Sequence, residues 1–298
     1  MKHHPISELQ VIGIRYINSN PAQNDERALD AYERSGVYGR IQAPFTIIEP
    51  HLDDSKRLPE ETDNIGLLGG EVAQVVAQAR QANKAVLMTG GNCCHITGIF
   101  GGLQDAHGPN VKVGLVWFDA HGDFNTPNTT LSGMLGGMPV AVSAGLAYPR
   151  WREFSHIQAP IPTDRIVMVD VRNLDEAEEA LIRATDVTIA RVADGFTGDV
   201  DLETAVSDLA QKCDIIYLHI DSDILDERYV PNHGTKEPNG PDMSQVVKAI
   251  ETVLATEKVA VIALVSIYGE GEGAETSVAS AIELLENTLP AWQTYGMV

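Results

Sequence analysis

Five ionisable residues sit at every second position just beyond two apolar runs. "VGLVWFDAHGDF", from Val113, carries Asp119, His121 and Asp123, and "IIYLHIDSDILD", from Ile215, carries Asp221 and Asp223. In extended chain a period of two puts such side chains on one side. Unpaired carboxylates beside a buried strand are costly unless something compensates them. Carboxylates and imidazole are donors for hard or borderline divalent cations, and four carboxylates can neutralise two of them. Two ions held about 3.5–4 Å apart would activate a bridging water as the nucleophile of a hydrolysis. A lone Asp-x-Asp after a strand is more often a turn or a helix cap. Two such clusters ending two buried strands point instead to a metal pair.

The elements that must position these residues are legible as short β-branched runs. They begin at Leu9, Phe45, Ala85, Val113, Arg165, Val187, Asp214 and Val259, and most are continuous rather than alternating. That is the pattern of strands covered on both faces. Between them lie helical stretches such as "DNIGLLGGEVAQVVAQARQAN", "LDEAEEALIRAT", "DLETAVSDLAQKC" and "SQVVKAIETVLATEK". The alternation predicts an α/β fold, with one parallel, roughly eight-stranded sheet and helices on both faces. No repeat or linker-like tract divides residues 1–298, so a single domain is expected. In such sheets ligands bind at the carboxyl ends of the strands, where the acidic clusters lie.

Composition narrows the partners. Twenty-one basic against forty-two acidic residues give a net charge of −21, which argues against nucleic acid. No apolar run is long enough for a membrane span. Cys93, Cys94 and Cys213 are too few for a disulfide framework, and no signal region precedes them, so a reducing cytoplasm is expected.

The stretches "FDAHGDFNTPNTTLSG" and "HIDSDILD" resemble the ureohydrolases, the arginase, agmatinase and formimidoylglutamase family of dinuclear manganese amidinohydrolases. The resemblance implies a parallel eight-stranded sheet in an arginase-like three-layer sandwich, two divalent ions (manganese), a small-molecule guanidino or amidine substrate, and a homo-oligomer, trimer or hexamer. It implies that Asp119, His121, Asp123, Asp221 and Asp223 are five of six metal ligands. Asp123 is counted among the catalytic residues, and Asp226 shapes the loop. Asn125, Thr130 and Ser132 fall where arginases hold the substrate α-carboxylate, a task suited to amide and hydroxyl donors. Asp175 and Glu178, in "RNLDEAE", fall where the family meets the α-ammonium, although Asp175 reads equally well as a helix N-cap. Thr235 matches a Thr near the guanidine end. The reaction implied is attack on the guanidino carbon of arginine or an arginine-like amino acid, releasing a urea and an ornithine-type amine. N-hydroxyarginine, formimidoylglutamate and a catalytically silent metal-binding scaffold are the alternatives.

Three departures from the family pattern stand out. Where a His is expected as the sixth ligand, "GGNCCHITG" offers Cys93, with His95 as rival two residues on. A thiolate is a metal ligand and softens the site toward zinc-like ions. Gly136 in "GMLGGMP" occupies the position of the proton-shuttling His; His233 is a possible substitute, against a plain loop role. The last strand runs into "ALVSIYGEGEG", so the Glu expected to pair with a guanidinium is assigned to Glu270, with Glu272 behind it and Ile267 or Tyr268 at the expected place.

Overall fold

The structure, a computed structural model, describes residues 4–297. Nine parallel strands form one sheet: β1 Leu9–Ile14, β2 Phe45–Ile48, β3 Ala85–Gly90, β4 Val113–Phe118, β5 Ile166–Val169, β6 Thr188–Arg191, β7 Val200–Asp201, β8 Ile215–Asp221 and β9 Val259–Val265. Their spatial order is β2-β1-β3-β9-β8-β4-β5-β6-β7. Eight correspond to the apolar runs. The ninth, β7, is a two-residue edge strand pairing with β6, too short to leave a pattern in the sequence.

Every residue of β1, β3, β4, β8 and β9 is buried. Their continuous hydrophobicity follows from that, since helices cover both faces. Helix Glu61–Gln81 packs on Ile96–His107 and Pro149–Phe154, while Leu202–Lys212, Met243–Leu254 and Ala274–Tyr295 form a second row. One apolar core runs from Ile6 to Met297 across the sheet.

Register at the sheet centre positions the acidic clusters. Phe118 pairs with Ile220, so Asp119 and Asp221 follow side by side. Leu264 pairs with both Thr89 and Ile220, so the exits of β3 and β9 lie beside the same point. Four central strands therefore release their next residues into one crevice.

The crossover after β3 depends on close helix packing. A Cβ on Gly98 would lie 2.5 Å from the carbonyl oxygen of Gly69, and one on Gly101 1.7 Å from that of Ser155. Backbone cannot withdraw as a flexible side chain can. Gly101→Ala is expected to cost about 2–3 kcal/mol or more and lower the melting temperature by several degrees. An unchanged Tm in a thermal melt would show that this contact is not as tight as described.

Candidate metal centre and substrate pocket

The exits of β3, β4, β8 and β9 converge on a cavity of about 430 Å³ lined by Cys93, Asp119, His121, Asp123, Asp221 and Asp223, among others. Two of its residues hold left-handed backbone without being glycine, Asp123 with φ 45° and Ser266 with φ 63°. Asp tolerates that region; Ser does so at a cost, which sites for chemistry often carry. Ser266 is fixed there by its N–H to Gly91 O at 3.2 Å and by its hydroxyl, which donates to Asp221 Oδ2 at 2.6 Å.

Ligand-type atoms fall into three groups, each with its members within 4.8 Å of one another: Cys93, Asp119 and Asp123; Asp119, His121 and Asp223; and Asp221, Asp223 and His233. Cys93 Sγ lies 2.9 Å from Asp221 Oδ2, 3.8 Å from Asp119 Oδ2 and 3.4 Å from His219 Nε2. His121 presents Nδ1 to Asp119 Oδ1 at 3.3 Å and to Asp223 Oδ2 at 3.2 Å, while Nε2 faces Glu237 Oε1 at 3.5 Å. An imidazole whose far nitrogen meets a carboxylate is the usual outer support of a metal-ligating His.

The electrostatics of the cluster call for a cation. Burial, then the neighbouring Asp carboxylates, push Asp119 well above the usual carboxylate range. Asp123 is also pushed up by burial, with Asp221, Glu178 and Asp223 adding to it against the opposing His121. The Cys93 thiol is raised by burial and by the charges of Asp221, Asp123 and Asp119. His121 loses to burial but gains more from Asp119 and Asp223, reaching about 12. Burial also opposes charge on Asp221, yet donors from His233, Cys93 and Ser266 hold it below its ordinary value. Burial and mutual repulsion thus oppose charge on Asp119, Asp123 and Cys93, and the donor set of carboxylates, imidazole and thiol fits two divalent ions.

The outer wall is the segment after Asp123. Asn125 is buried, donates from Nδ2 to Asp175 Oδ2 at 3.2 Å and accepts from Thr129 at 2.8 Å. The hydroxyls of Thr130 and Ser132 accept from Gly133 N and Met134 N at 3.0 and 3.1 Å, and both residues line the cavity. Asp175 takes the N-cap position of helix Glu176–Arg183, but its side chain makes no capping bond and turns to Asn125. Buried Glu178 accepts from Phe124 N at 2.8 Å, and burial raises its pKa. Thr235 donates to Asp223 Oδ2 at 3.3 Å.

Two expectations are corrected. Glu270 is exposed and outside the cavity, its carboxylate accepting from Asp25 N at 3.2 Å, because the chain turns away after Tyr268; Glu272 is exposed as well. His233 is no open loop residue but 4% exposed and in the cavity wall. Between Cys93 and His95, the structure brings Cys93 to the cluster. Both His95 ring nitrogens meet backbone of Asn92 and Asn18, and burial lowers its pKa to about 4. Asp226 lies outside the cavity, where its N–H donates to Pro241 O at 3.0 Å. Gly136 lines the cavity with nothing nearer than 3.9 Å to a Cβ placed there, so space does not demand a glycine.

Residues that sequence reasoning passed over are His219, Ser266 and Glu237. His219 sits two positions before Asp221 on the same strand face, a signal the period of two could have supplied. Arg172, just past β5, donates to Asp223 O at 2.8 Å and Ile224 O at 3.2 Å and so fixes the β8 loop.

The comparisons agree with this geometry. A model of the arginase family matches residues 39–289. The arginase of Bacillus caldovelox is 27% identical over 76% of this chain and 79% of its own, and that of Entamoeba histolytica 30% identical over 67% and 66%. The crystal structure of arginase from Bacillus cereus superposes with a TM-score of 0.81 at 21% identity, over 95% of this chain and 98% of that one.

The charge balance generates a pH prediction. Asp119, Asp123 and His121 bind protons more tightly folded than unfolded, so with chelator present stability should fall as pH rises from about 6.5 to 8.5. Saturating manganese should flatten or reverse that slope and raise Tm by linkage. Asp119→Asn should raise the chelated protein's Tm and abolish the manganese increment. A chelated protein whose stability rises with pH, measured by scanning calorimetry, would contradict this account.

Proposed function

Since the chain belongs to the arginase family, whose model matches residues 39–289, we propose that it is a dinuclear manganese hydrolase acting on the guanidino group of arginine or an arginine-like amino acid. Water adds at the guanidino carbon and the C–N bond to the side chain breaks, giving a urea and an ornithine-type amine. The observation that carries this reading is the convergence of Cys93, Asp119, His121, Asp123, Asp221 and Asp223 at four strand exits. Two divalent ions there supply an activated water and electrophilic polarisation. The chain's own residues hold the ions, and Asp123, near the hydroxyl wall, is in reach to accept a proton from the attacking water.

Asn125, Thr130 and Ser132 bind the substrate carboxylate, with Asp175 and Glu178 facing the ammonium. Their lining of one cavity wall supports an amino-acid substrate over a bare amine. Thr235 steadies Asp223 near the reacting carbon. The bare Gly136 favours a second reading, a substrate with a hydroxylated guanidine such as N-hydroxyarginine, whose leaving group depends less on a proton shuttle.

The test is release of ornithine by the manganese-loaded protein from L-arginine and N-hydroxy-L-arginine side by side. Asp123→Asn should lower turnover by more than the about 10–100-fold usual for residues supporting a ligand. Asn125→Ala should raise KM about tenfold with kcat little changed. Gly136→His, which the open space accommodates, should raise kcat on arginine about tenfold or more if proton delivery limits it. No ornithine from either compound would remove arginine-type substrates and bring forward formimidoylglutamate or the silent scaffold, the latter if Asp123→Asn also changes nothing.

A further inference from the structure

We propose that Asn18, at the tip of a hairpin outside the cavity, is a positioning residue that holds Cys93 against the metal cluster. The inference rests on the reading of Cys93 as the sulfur ligand and names what keeps it there.

Cys93 opens a short 3-10 turn, Cys93–His95, between the exit of β3 and helix Ile96–His107. A turn of three residues has few bonds of its own. Here His95 N donates to Asn92 O at 3.2 Å. A thiolate on this turn faces Asp119, Asp123 and Asp221, whose negative charges oppose it in a buried setting. Keeping the sulfur there requires an anchor outside the cluster.

The anchor is the hairpin. Tyr16–Ile17 and Asn20–Pro21 pair antiparallel, and Asn18 opens the two-residue tip in left-handed backbone with φ 54°. Asn is one of the few residues that enter this region readily. From there Asn18 reaches the residues on both sides of Cys93. Its N–H donates to Asn92 Oδ1 at 3.3 Å. Its Oδ1 accepts from Asn92 Nδ2 at 2.8 Å and from Cys94 Sγ at 3.3 Å. Its carbonyl accepts from His95 Nε2 at 2.8 Å. Cys93 alone is left to face the cluster, with Sγ 2.9 Å from Asp221 Oδ2.

The tip is itself fixed from behind. Ser19 is buried, and its N and Oγ donate to the Glu61 carboxylate at 3.1 and 2.9 Å. Its carbonyl accepts from Arg57 Nη2 at 2.6 Å. Glu61 begins the helix Glu61–Gln81, which packs on Ile96–His107. Hairpin tip and cysteine turn are thus referred to the same pair of helices, and Asn18 is the link between them.

Cobalt(II) added to the metal-free protein reports sulfur ligation through thiolate-to-metal charge-transfer absorption, and calorimetric titration gives zinc and manganese affinities. Cys93→Ser should abolish the absorption band. Asn18→Gly, which keeps the left-handed backbone and removes the amide, should weaken the band. It should also weaken zinc binding by about 10–100-fold, as loss of a ligand's outer support does. Manganese should lose less, because it gains less from sulfur. Asn18→Asp keeps the acceptor oxygen and should restore most of the band and of the zinc affinity. A full band with unchanged zinc affinity in Asn18→Gly overturns the role of Asn18 and leaves sulfur ligation standing. Equal losses of zinc and manganese with the band intact overturn it as well, since the site would then be loosened as a whole. A band absent from the unaltered protein overturns sulfur ligation and the inference with it.

Discussion

The architecture depends on mutual repulsion among buried carboxylates that only positive charge can relieve. Asp119, Asp123, Asp221 and Asp223 are each at least nine-tenths buried and converge on one crevice. Water cannot reach them well enough to screen them, and Asp119 and Asp123 hold their protons unusually tightly as a result. Such a cluster is tolerable only if the fold makes it unavoidable. It does so through register: Phe118 beside Ile220 forces Asp119 beside Asp221, and β9 brings Ser266 to donate to Asp221. To separate the carboxylates the sheet would have to slip by a residue, which would turn every apolar side chain of a buried strand to the wrong face.

The same constraint accounts for irregularities around the crevice. Left-handed Asp123 turns its carboxylate back toward the cluster, and its carbonyl accepts from Val140 N at 3.1 Å as the next helix begins. Arg172 grips the carbonyls of Asp223 and Ile224 while pairing with Asp170 at 3.1 Å, so the loop after β8 is tied to the exit of β5. These contacts pre-position ligands in a region where the ligands themselves repel.

Legibility in the sequence followed how local each signal was. The eight longer strands and the two acidic clusters were readable because burial on both faces writes continuous apolar runs, and alternation writes the ligand side. β7 was not, since two residues carry no period. His233 and Glu270 were misjudged for one reason: both lie in polar loops. Whether a loop side chain points inward depends on contacts distant in sequence. Tyr268 packs on His233, whereas Asp25 draws Glu270 outward. The helix Ala274–Tyr295 was obscured by its Ser, Thr and Pro290 positions.

Cys93, proposed as the sulfur ligand, sits among side chains that suit that role. His219 stacks on Trp117 at 3.9 Å with planes 5° apart, which fixes the ring's plane, and Tyr217 Oη lies 2.9 Å from its Nδ1. If the phenol donates there, Nε2–H points at Cys93 Sγ, 3.4 Å away. A thiolate bound to a cation is a good acceptor for that hydrogen, whereas the neutral thiol must instead donate to Asp221. Burial keeps His219 neutral, with a pKa near 3, so it lends a hydrogen bond without adding charge. A sulfur ligand at this position thus already has its outer support in β8, the strand that supplies Asp221. A thiolate at the proposed Cys93 ligand position would add a negative charge to the cluster, and Arg27, buried behind Tyr268 with no carboxylate pairing with it among the described residues, carries an opposing charge beside the last strand's exit.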